Sequence, residues 1–327
     1  METLKIKWGI VGCGNIANKF VSDLALVEDA ELQAVASRNL EKADAFGQKH
    51  NSKKCYGSYD ELFLDSDVDI VYIATPHNSH CEFSLKALEY GKHVLCEKPL
   101  SINRKEAEKM IALSKSRNLF FMEGLWTRFN PTFVAVKERI DNGEIGKVKY
   151  IKADFSFKSE HALDSRVFNL DLAGGALLDI GIYPIFLAYS LLGKPEDILA
   201  KSIFHTKTGA DVQTSMLFHY KNAQAILYSG FMSKSKMTAC ISGTEGEIYI
   251  HDQWHVAQGY ALVKNEEEEV FELPTKGIGF THEIEECHKC IRNNQIESNL
   301  WSHQHSLDLI SILDDVRDQV GLKYPQE

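Results

Sequence analysis

The chain has 327 residues, is 44% hydrophobic and carries a net charge of −10, with 46 acidic residues against 36 basic ones. That length buries a large core and predicts two domains, while the acidic excess argues against nucleic acid and anionic membrane surfaces as partners. No apolar run reads as reaching the roughly 18–20 residues of a membrane span, and the N-terminus enters a strand without a signal-peptide layout, so the expected location is cytoplasmic.

In chain order, Ile6–Val11 reads as a continuous apolar strand and Ile16–Leu26 as the helix after it. Glu31–Ala36 is the second strand and Leu40–Lys49 a charged amphipathic helix. Ile70–Ala74, His93–Cys96 and Leu119–Met122 are further short apolar strands, separated by helices near Ser79–Tyr90 and Asn103–Ser116. Buried strands alternating with helices of this length predict a doubly wound parallel sheet with right-handed crossovers over residues 1–124.

The pattern changes after residue 124. Pro131–Asn142 is a helix, and Lys147–Phe157 alternates as a half-buried strand. Ile198–His205, Ser215–Tyr220, Gln224–Gly230, Lys236–Ser242 and Glu247–His251 follow as strands joined by short turns, which reads as an antiparallel meander. Residues 125–327 are therefore expected to form an α+β domain with a large, mostly antiparallel open sheet. A helix such as Tyr183–Leu192 is a candidate to cover one face, and a second copy of the chain the other, giving a homodimer or higher homo-oligomer. The final helix, Ser302–Gln319, is a candidate to pack back on the first domain. The acidic run Glu266–Glu269 reads as a solvated hairpin. The seven cysteines (13, 55, 81, 96, 240, 287 and 290) are scattered and odd in number, unlike a disulfide framework. Cys287-His288-Lys289-Cys290, with His282 nearby, superficially resembles a zinc knuckle, but without a second CxxC it reads as ordinary helix, and no metal is expected.

Gly12-Cys13-Gly14-Asn15-Ile16-Ala17 lies between the first strand and its helix. Gly12 permits the tight turn, Gly14 lets a pyrophosphate approach the backbone, and Ala17 allows helix and strand to pack closely. The anion then sits at a helix N-terminus, where free N–H groups and the dipole favour it. The second strand ends Ala36-Ser37-Arg38, with Lys42 one turn later and no acid where NAD-specific folds bind the ribose 2′-hydroxyl. Ser37 and Arg38 can instead bind a 2′-phosphate, so NADP is favoured over NAD. Thr75-Pro76-His77-Asn78-Ser79-His80 ends a third strand at the same edge. There Ser79 is a candidate N-cap, and His80 has a packing role as readily as a ligand role.

Glu97-Lys98-Pro99 follows another strand at that edge, and Pro99 restricts Lys98 toward extended conformations. A lysine beside a nicotinamide can hydrogen-bond the substrate hydroxyl and stabilise oxyanion charge. In Gly174-Gly175-Ala176-Leu177-Leu178-Asp179-Ile180-Gly181-Ile182-Tyr183-Pro184, Asp179 and Tyr183 are four apart and share a helix face. Pro184 suits a first helical turn, which places both near the helix N-terminus. A phenol there, near a cation and the dipole, can titrate below its free value of about 10 and serve as general acid/base. A tyrosine at a domain interface with Asp179 as its cap is an equally open reading.

The glycine run, Glu97-Lys98-Pro99 and the Gly174–Pro184 segment together resemble the Gfo/Idh/MocA oxidoreductases, named for glucose–fructose oxidoreductase and inositol dehydrogenase. The resemblance covers essentially the whole chain. Within it, Glu123-Gly124-Leu125-Trp126-Thr127-Arg128-Phe129-Asn130-Pro131 and the Ala173–Pro184 run look most like the dimeric trans-dihydrodiol dehydrogenase/D-xylose 1-dehydrogenase branch. That implies NADP, a catalytic Lys98 and an Asp179–Tyr183 pair facing it. Many members carry histidine where Tyr183 stands, so the branch and the acid/base identity rest on that difference. The resemblance further implies that Trp126 and Arg128 line the nicotinamide end and that Arg166 and Phe168 approach a small-molecule substrate. The resulting expectation is a reversible NADP-dependent dehydrogenase of a cyclic polyol, sugar or trans-diol. In it Tyr183, helped by Lys98, takes the hydroxyl proton, and Asp179 orients Lys98 or the substrate. A non-catalytic NADP sensor on the same fold, and more remotely an imine or bilin-like reductase, are the alternatives.

Overall fold

A computed structural model describes residues 4–327. Two compact units divide the chain, Met1–Trp126 with Lys276–Leu307, and Thr127–Thr275 with Asp308–Glu327. The first is built from β1 (Ile6–Val11), α1 (Asn15–Leu24), β2 (Ala30–Ala36), α2 (Leu40–His50), β3 (Lys54–Tyr56), α3 (Tyr59–Leu64), β4 (Ile70–Ile73), α4 (His80–Glu89), β5 (His93–Glu97), α5 (Arg104–Arg117) and β6 (Phe121–Gly124). All six strands are parallel, in the order β3-β2-β1-β4-β5-β6. The strand order reverses between β1 and β4, where Val11 pairs with Ile73. A crevice at the carboxyl ends of such a pair is where ligands of doubly wound sheets bind.

Local chemistry fixes the helix ends. The Asn39 and Asn103 side chains accept N–H groups at the starts of α2 and α5, and Asn51 and Asn118 close both helices in the left-handed conformation. The sequence reading passed over β3 and α3, which have only three and six residues. A capping box was nonetheless legible there: the Ser58 hydroxyl accepts from the Glu61 N–H, and the Glu61 carboxylate accepts from the Ser58 N–H.

The second unit contains α6 (Pro131–Asp141), β7 (Val148–Ser156), α7 (Ile182–Leu192), and β8 (Asp197–Phe204) through β14. The remaining strands are β9 (Asp211–Tyr220), β10 (Ala223–Gly230), β11 (Ala239–Gly243), β12 (Glu247–Ile250), β13 (Gly259–Lys264) and β14 (Glu267–Glu272). They form one sheet in the order β14-β13-β12-β11-β7-β10-β9-β8. It is mostly antiparallel, yet not the simple meander expected. β7 sits at its centre and pairs in parallel with β10, so two meanders, β8–β10 and β11–β14, flank the first strand of the domain. β11 begins at Ala239 rather than Lys236 because Met237 takes a φ of 52° and breaks the ladder. In the acidic hairpin, the turn is Asn265-Glu266, both with positive φ as a type I′ turn requires. Glu267–Glu269 therefore lie on the exposed edge strand, where charge opposes edge-to-edge pairing.

α7 lies against β7 and β10, and every residue from Ile182 to Tyr189 is buried. This corrects one expectation. Leu170–Leu192 is, over 23 residues, long and apolar enough to span a membrane by composition, but 78% of its most apolar window is buried inside the structure. A helix apolar all round is what a core position requires.

Two helices remain, α8 (Thr281–Arg292) and α9 (His303–Val320), and the unit boundary falls within α9. Asp23 of α1 accepts the N–H groups of Ile278, Gly279 and Phe280 at 2.9, 2.9 and 2.8 Å, fixing the chain that leads into α8. His288 Nε2 accepts the Trp8 indole N–H at 2.9 Å, and its Nδ1 lies 3.0 Å from Asp29. Cys287 and Cys290 are buried on the same helix, and the described residues hold no group of three His, Cys, Asp or Glu fit for a metal ion. Beyond Asp308, α9 packs in the second unit: Tyr189 donates to Asp308 at 2.9 Å, and Gln319 accepts the Ala200 N–H at 2.9 Å.

Candidate active site

At the end of β1, Gly12 has a φ of +99°, and a Cβ there would lie 2.9 Å from the Ala74 carbonyl. Only glycine fits this turn between the two central strands. Gly14 opens α1 and faces empty space, with nothing within 4 Å of where its Cβ would be, and no side chain caps the helix. Uncapped N–H groups beside open space suit a pyrophosphate. Cys13 is buried, its thiol pushed up to about 11 by burial, so it packs the loop rather than offering a thiolate. Asn15 is exposed and Ile16 half-buried on the first turn.

At the end of β2, the buried Ser37 hydroxyl accepts the Asn39 N–H at 3.4 Å, and Arg38 and Lys42 are exposed. Tyr59, at the start of α3, lies near Arg38, whose charge acts on its phenol, a neighbour the sequence reading missed. The residues present therefore fit a 2′-phosphorylated ribose: a buried hydroxyl, an exposed guanidinium, and no carboxylate in the slot.

Ala74 leads from β4 into the loop of Thr75 and Pro76, and a 3₁₀ turn, His77–Ser79, opens α4. Ser79 occupies the N-cap position, but its hydroxyl turns back to donate to the Pro76 carbonyl at 2.8 Å, so it is not the side-chain cap expected. His77 is buried and Asn78 half-buried. The fully buried His80 ring lies between two loops, Nδ1 at 2.8 Å from the Pro99 carbonyl and Nε2 at 3.0 Å from that of Thr75. It ties the β4 loop to the segment after Lys98.

Lys98 is half-buried at the end of β5, and the Lys98–Pro99 bond is cis. Glu97 is buried; its carboxylate accepts the Tyr72 hydroxyl and, at 3.2 Å, the Lys98 N–H. Glu123 of β6 holds the chain beyond the proline, accepting from the Leu100 N–H at 2.8 Å, the Trp301 indole at 3.1 Å and the Ser306 hydroxyl at 2.7 Å. Burial pushes its carboxyl up, partly offset by Ser306, Trp301, Leu100 and the Lys98 ammonium. Glu283 of α8 is fully buried beside Glu97 and Asp23, and burial and those charges push its carboxyl well above the usual range. Sequence reading found Lys98 but not these supports, whose signal is a carboxylate inside an otherwise apolar segment. Trp126 closes this unit, its ring stacked on Phe280 at 4.4 Å.

In the second unit, a π-helical turn, Leu177–Gly181, precedes α7 and carries Asp179, while Tyr183 is the second residue of α7. The widened turn accommodates Pro184, which lacks the N–H of a regular helix, and such turns recur at functional sites. The helical stretch thus starts a turn earlier than expected, so the N–H groups of its first turn lie at Ala176 and Leu177, not beside Tyr183. Asp179 lies 3.4 Å from the exposed Arg166. Tyr183 is 5% exposed and packs between Phe155 and His255, each ring centroid 5.3 Å away. His255 was not anticipated, having no sequence neighbour in the motif. Phe168 is buried against His205 and Phe231, both 5.9 Å between centroids. Arg128 lies over the Phe133 ring at 5.8 Å.

The oxidoreductase family with an NAD-binding Rossmann fold, Gfo/Idh/MocA, matches residues 6–125, and its C-terminal domain matches residues 133–249. Trans-1,2-dihydrobenzene-1,2-diol dehydrogenase from Xenopus tropicalis is 36% identical over 98% of this chain and 99% of that protein. The Homo sapiens enzyme of the same name is 35% identical over 99% of both. Among solved structures, a 3-ketoreductase from Actinomadura kijaniata in complex with NADP and TDP-benzene superposes with a TM-score of 0.88 at 28% identity, covering 97% of this chain and 98% of that one. An aldose-aldose oxidoreductase from Caulobacter crescentus shares the fold at a TM-score of 0.89 and 24% identity, with 97% and 98% covered.

Proposed function

The chain belongs to the Gfo/Idh/MocA oxidoreductases and is an NAD(P)-dependent dehydrogenase, and we propose that it uses NADP to oxidise, reversibly, a CH–OH group of a trans-diol or cyclic sugar. The observation that carries the substrate class is full-length identity with enzymes named for a trans-diol. The choice of NADP rests on Ser37 and Arg38 standing where an acid would repel a 2′-phosphate. Bound NADP supplies the hydride acceptor, and the chain supplies position and charge. Tyr183 takes the hydroxyl proton, Lys98 stabilises the oxygen as it becomes anionic, and Asp179 orients the substrate or the lysine. Trp126, Arg128, Arg166 and Phe168 shape the substrate and nicotinamide end. A sensor would have no use for Lys98, Asp179 and Tyr183 together.

The test is turnover across aldoses, inositols and trans-diols, with NADP and NAD in parallel. Oxidation of a trans-diol or pyranose with NADP supports the reading, and turnover of neither class overturns it. In the same assay Arg38→Ala should raise KM for NADP about 10- to 100-fold, the worth of one or two charge-assisted hydrogen bonds, and leave KM for NAD alone. An equal effect on both cofactors would remove Arg38 from the phosphate site.

A second copy of the chain is the partner we infer for the open face of the second sheet. Strand register aligns Leu199, Leu217 and Ile226 in one row on the face away from α7, with Leu199 61% and Ile226 49% exposed. An apolar row of this kind on a sheet marks an interface. Sedimentation should find a dimer that Ile226→Lys dissociates; a monomeric wild type at micromolar concentration would refute it.

A further inference from the structure

We propose that Asp211 is a positioning residue for the acid/base pair: its carboxylate reaches from β9 to the N–H groups that open the helical stretch carrying Asp179 and Tyr183, and its protonation loosens that stretch. The inference rests on reading Tyr183 as the acid/base.

The π-helical turn Leu177–Gly181 begins after Ala176, whose side chain cannot accept a hydrogen bond, so its first N–H groups need a partner from elsewhere. Asp211 provides it. The residue is completely buried, and its Oδ2 accepts the Leu177 N–H at 2.7 Å and the Thr214 hydroxyl at 3.3 Å. The opposite oxygen lies against Gly175, whose φ is +131°, and a side chain there would collide with it. Gly175 is thus explained as the residue that admits the carboxylate to the helix start. Two residues after Leu177 comes Asp179, and one turn beyond that Tyr183, so a shift of the start is passed rigidly to both.

Burial raises the Asp211 carboxyl to about 6, against the opposing pull of the Leu177 N–H, the Thr214 hydroxyl and the Ala176 N–H. The groups facing it are few. Tyr324 of the C-terminal tail is buried beside it and pushed well above its ordinary value. Arg317 lies over the Tyr324 ring at 4.8 Å and also meets Asp314 and Glu327. On β8 the residue opposite is the uncharged Phe204, and the helical stretch contributes Asp179 with its Arg166 neighbour. At neutral pH the carboxylate is ionised and complements the positive helix end. As pH falls through about 6 it protonates and that charge is lost.

The sign for stability is the reverse. A carboxyl raised above its unfolded value of 3.8 binds its proton more tightly when folded, so stability contributed by this group increases as pH falls from above 6 toward 4. A purely structural role would move activity and stability together, whereas positioning separates them.

The experiment compares wild type with Asp211→Asn and Asp211→Ala. Amide hydrogen exchange at Ala176 and Leu177 needs no substrate. Asp211→Ala should lose protection there at least tenfold, and the wild type should lose protection relative to Asp211→Asn between pH 7.5 and pH 5, while its melting temperature relative to Asp211→Asn rises. With NADP and trans-1,2-dihydrobenzene-1,2-diol, kcat of the wild type should fall more steeply below pH 6 than that of Asp211→Asn, which keeps only the slope set by Tyr183 ionisation, and KM for NADP should be the same in both. Unchanged protection in Asp211→Ala, or a fall of kcat below pH 6 as steep in Asp211→Asn as in the wild type, overturns the proposal. If instead Tyr183→Phe turns over like wild type, the acid/base reading fails while the exchange result still decides whether Asp211 holds the helix start.

Discussion

Lys98→Met should bind NADPH with nearly unchanged affinity and lose about 10²- to 10³-fold in kcat, the usual effect of deleting one preorganised donor to a developing oxyanion. Affinity should survive because the site proposed for the pyrophosphate, the Gly12–Gly14 loop and the start of α1, takes its conformation from Gly12 and Ala74, not from the lysine. The segment around Lys98 should also keep its shape. Its backbone is held by Glu97 at the Lys98 N–H and by Glu123 at the Leu100 N–H, and methionine preserves the aliphatic stem. What disappears is the ammonium. NADPH fluorescence titration and steady-state turnover check the two halves separately. Near-wild-type kcat would remove the lysine from the chemistry.

Tyr183→Phe should be comparably damaging, about 10²- to 10⁴-fold in kcat, the range for losing a general acid/base. The ring remains between Phe155 and His255, so the substitution deletes a hydroxyl and leaves the packing of α7 intact. The pH profile makes the role specific. In the oxidation direction the phenol must be ionised to accept the hydroxyl proton, so wild-type kcat rises with pH as it ionises. In Tyr183→Phe that rise should vanish, and in the reduction direction the corresponding fall should vanish too. A variant with reduced kcat and an unaltered alkaline arm would show that some other group moves the proton.

How far the sequence carried can be read from particular residues. The apolar runs Ile6–Val11 and Ile70–Ile73 are buried on both faces, so continuous hydrophobicity was a faithful signal for parallel strands. β3 was lost because three residues between polar turns carry no period. β13 was lost beside the conspicuous acidic run that β14 contains. The parallel pairing of β7 with β10 was illegible, since period-two alternation reports which face is buried and is silent about which neighbour a strand takes.

By itself the sequence determined the nucleotide-binding sheet, the glycine loop proposed for the phosphates and the residue types proposed for chemistry, namely Lys98, Asp179 and Tyr183. These are local properties: a glycine that must adopt positive φ, an apolar run, a spacing along one helix. Tertiary structure alone decided what holds them. Glu123 reaches Leu100 across 23 residues, His80 joins the Thr75 and Pro99 carbonyls, and Asp211 meets Leu177 from 34 residues away. Each of these contacts depends on two segments being brought together by the packing of a sheet, and a side chain carries no mark in the sequence of the backbone group it will meet there.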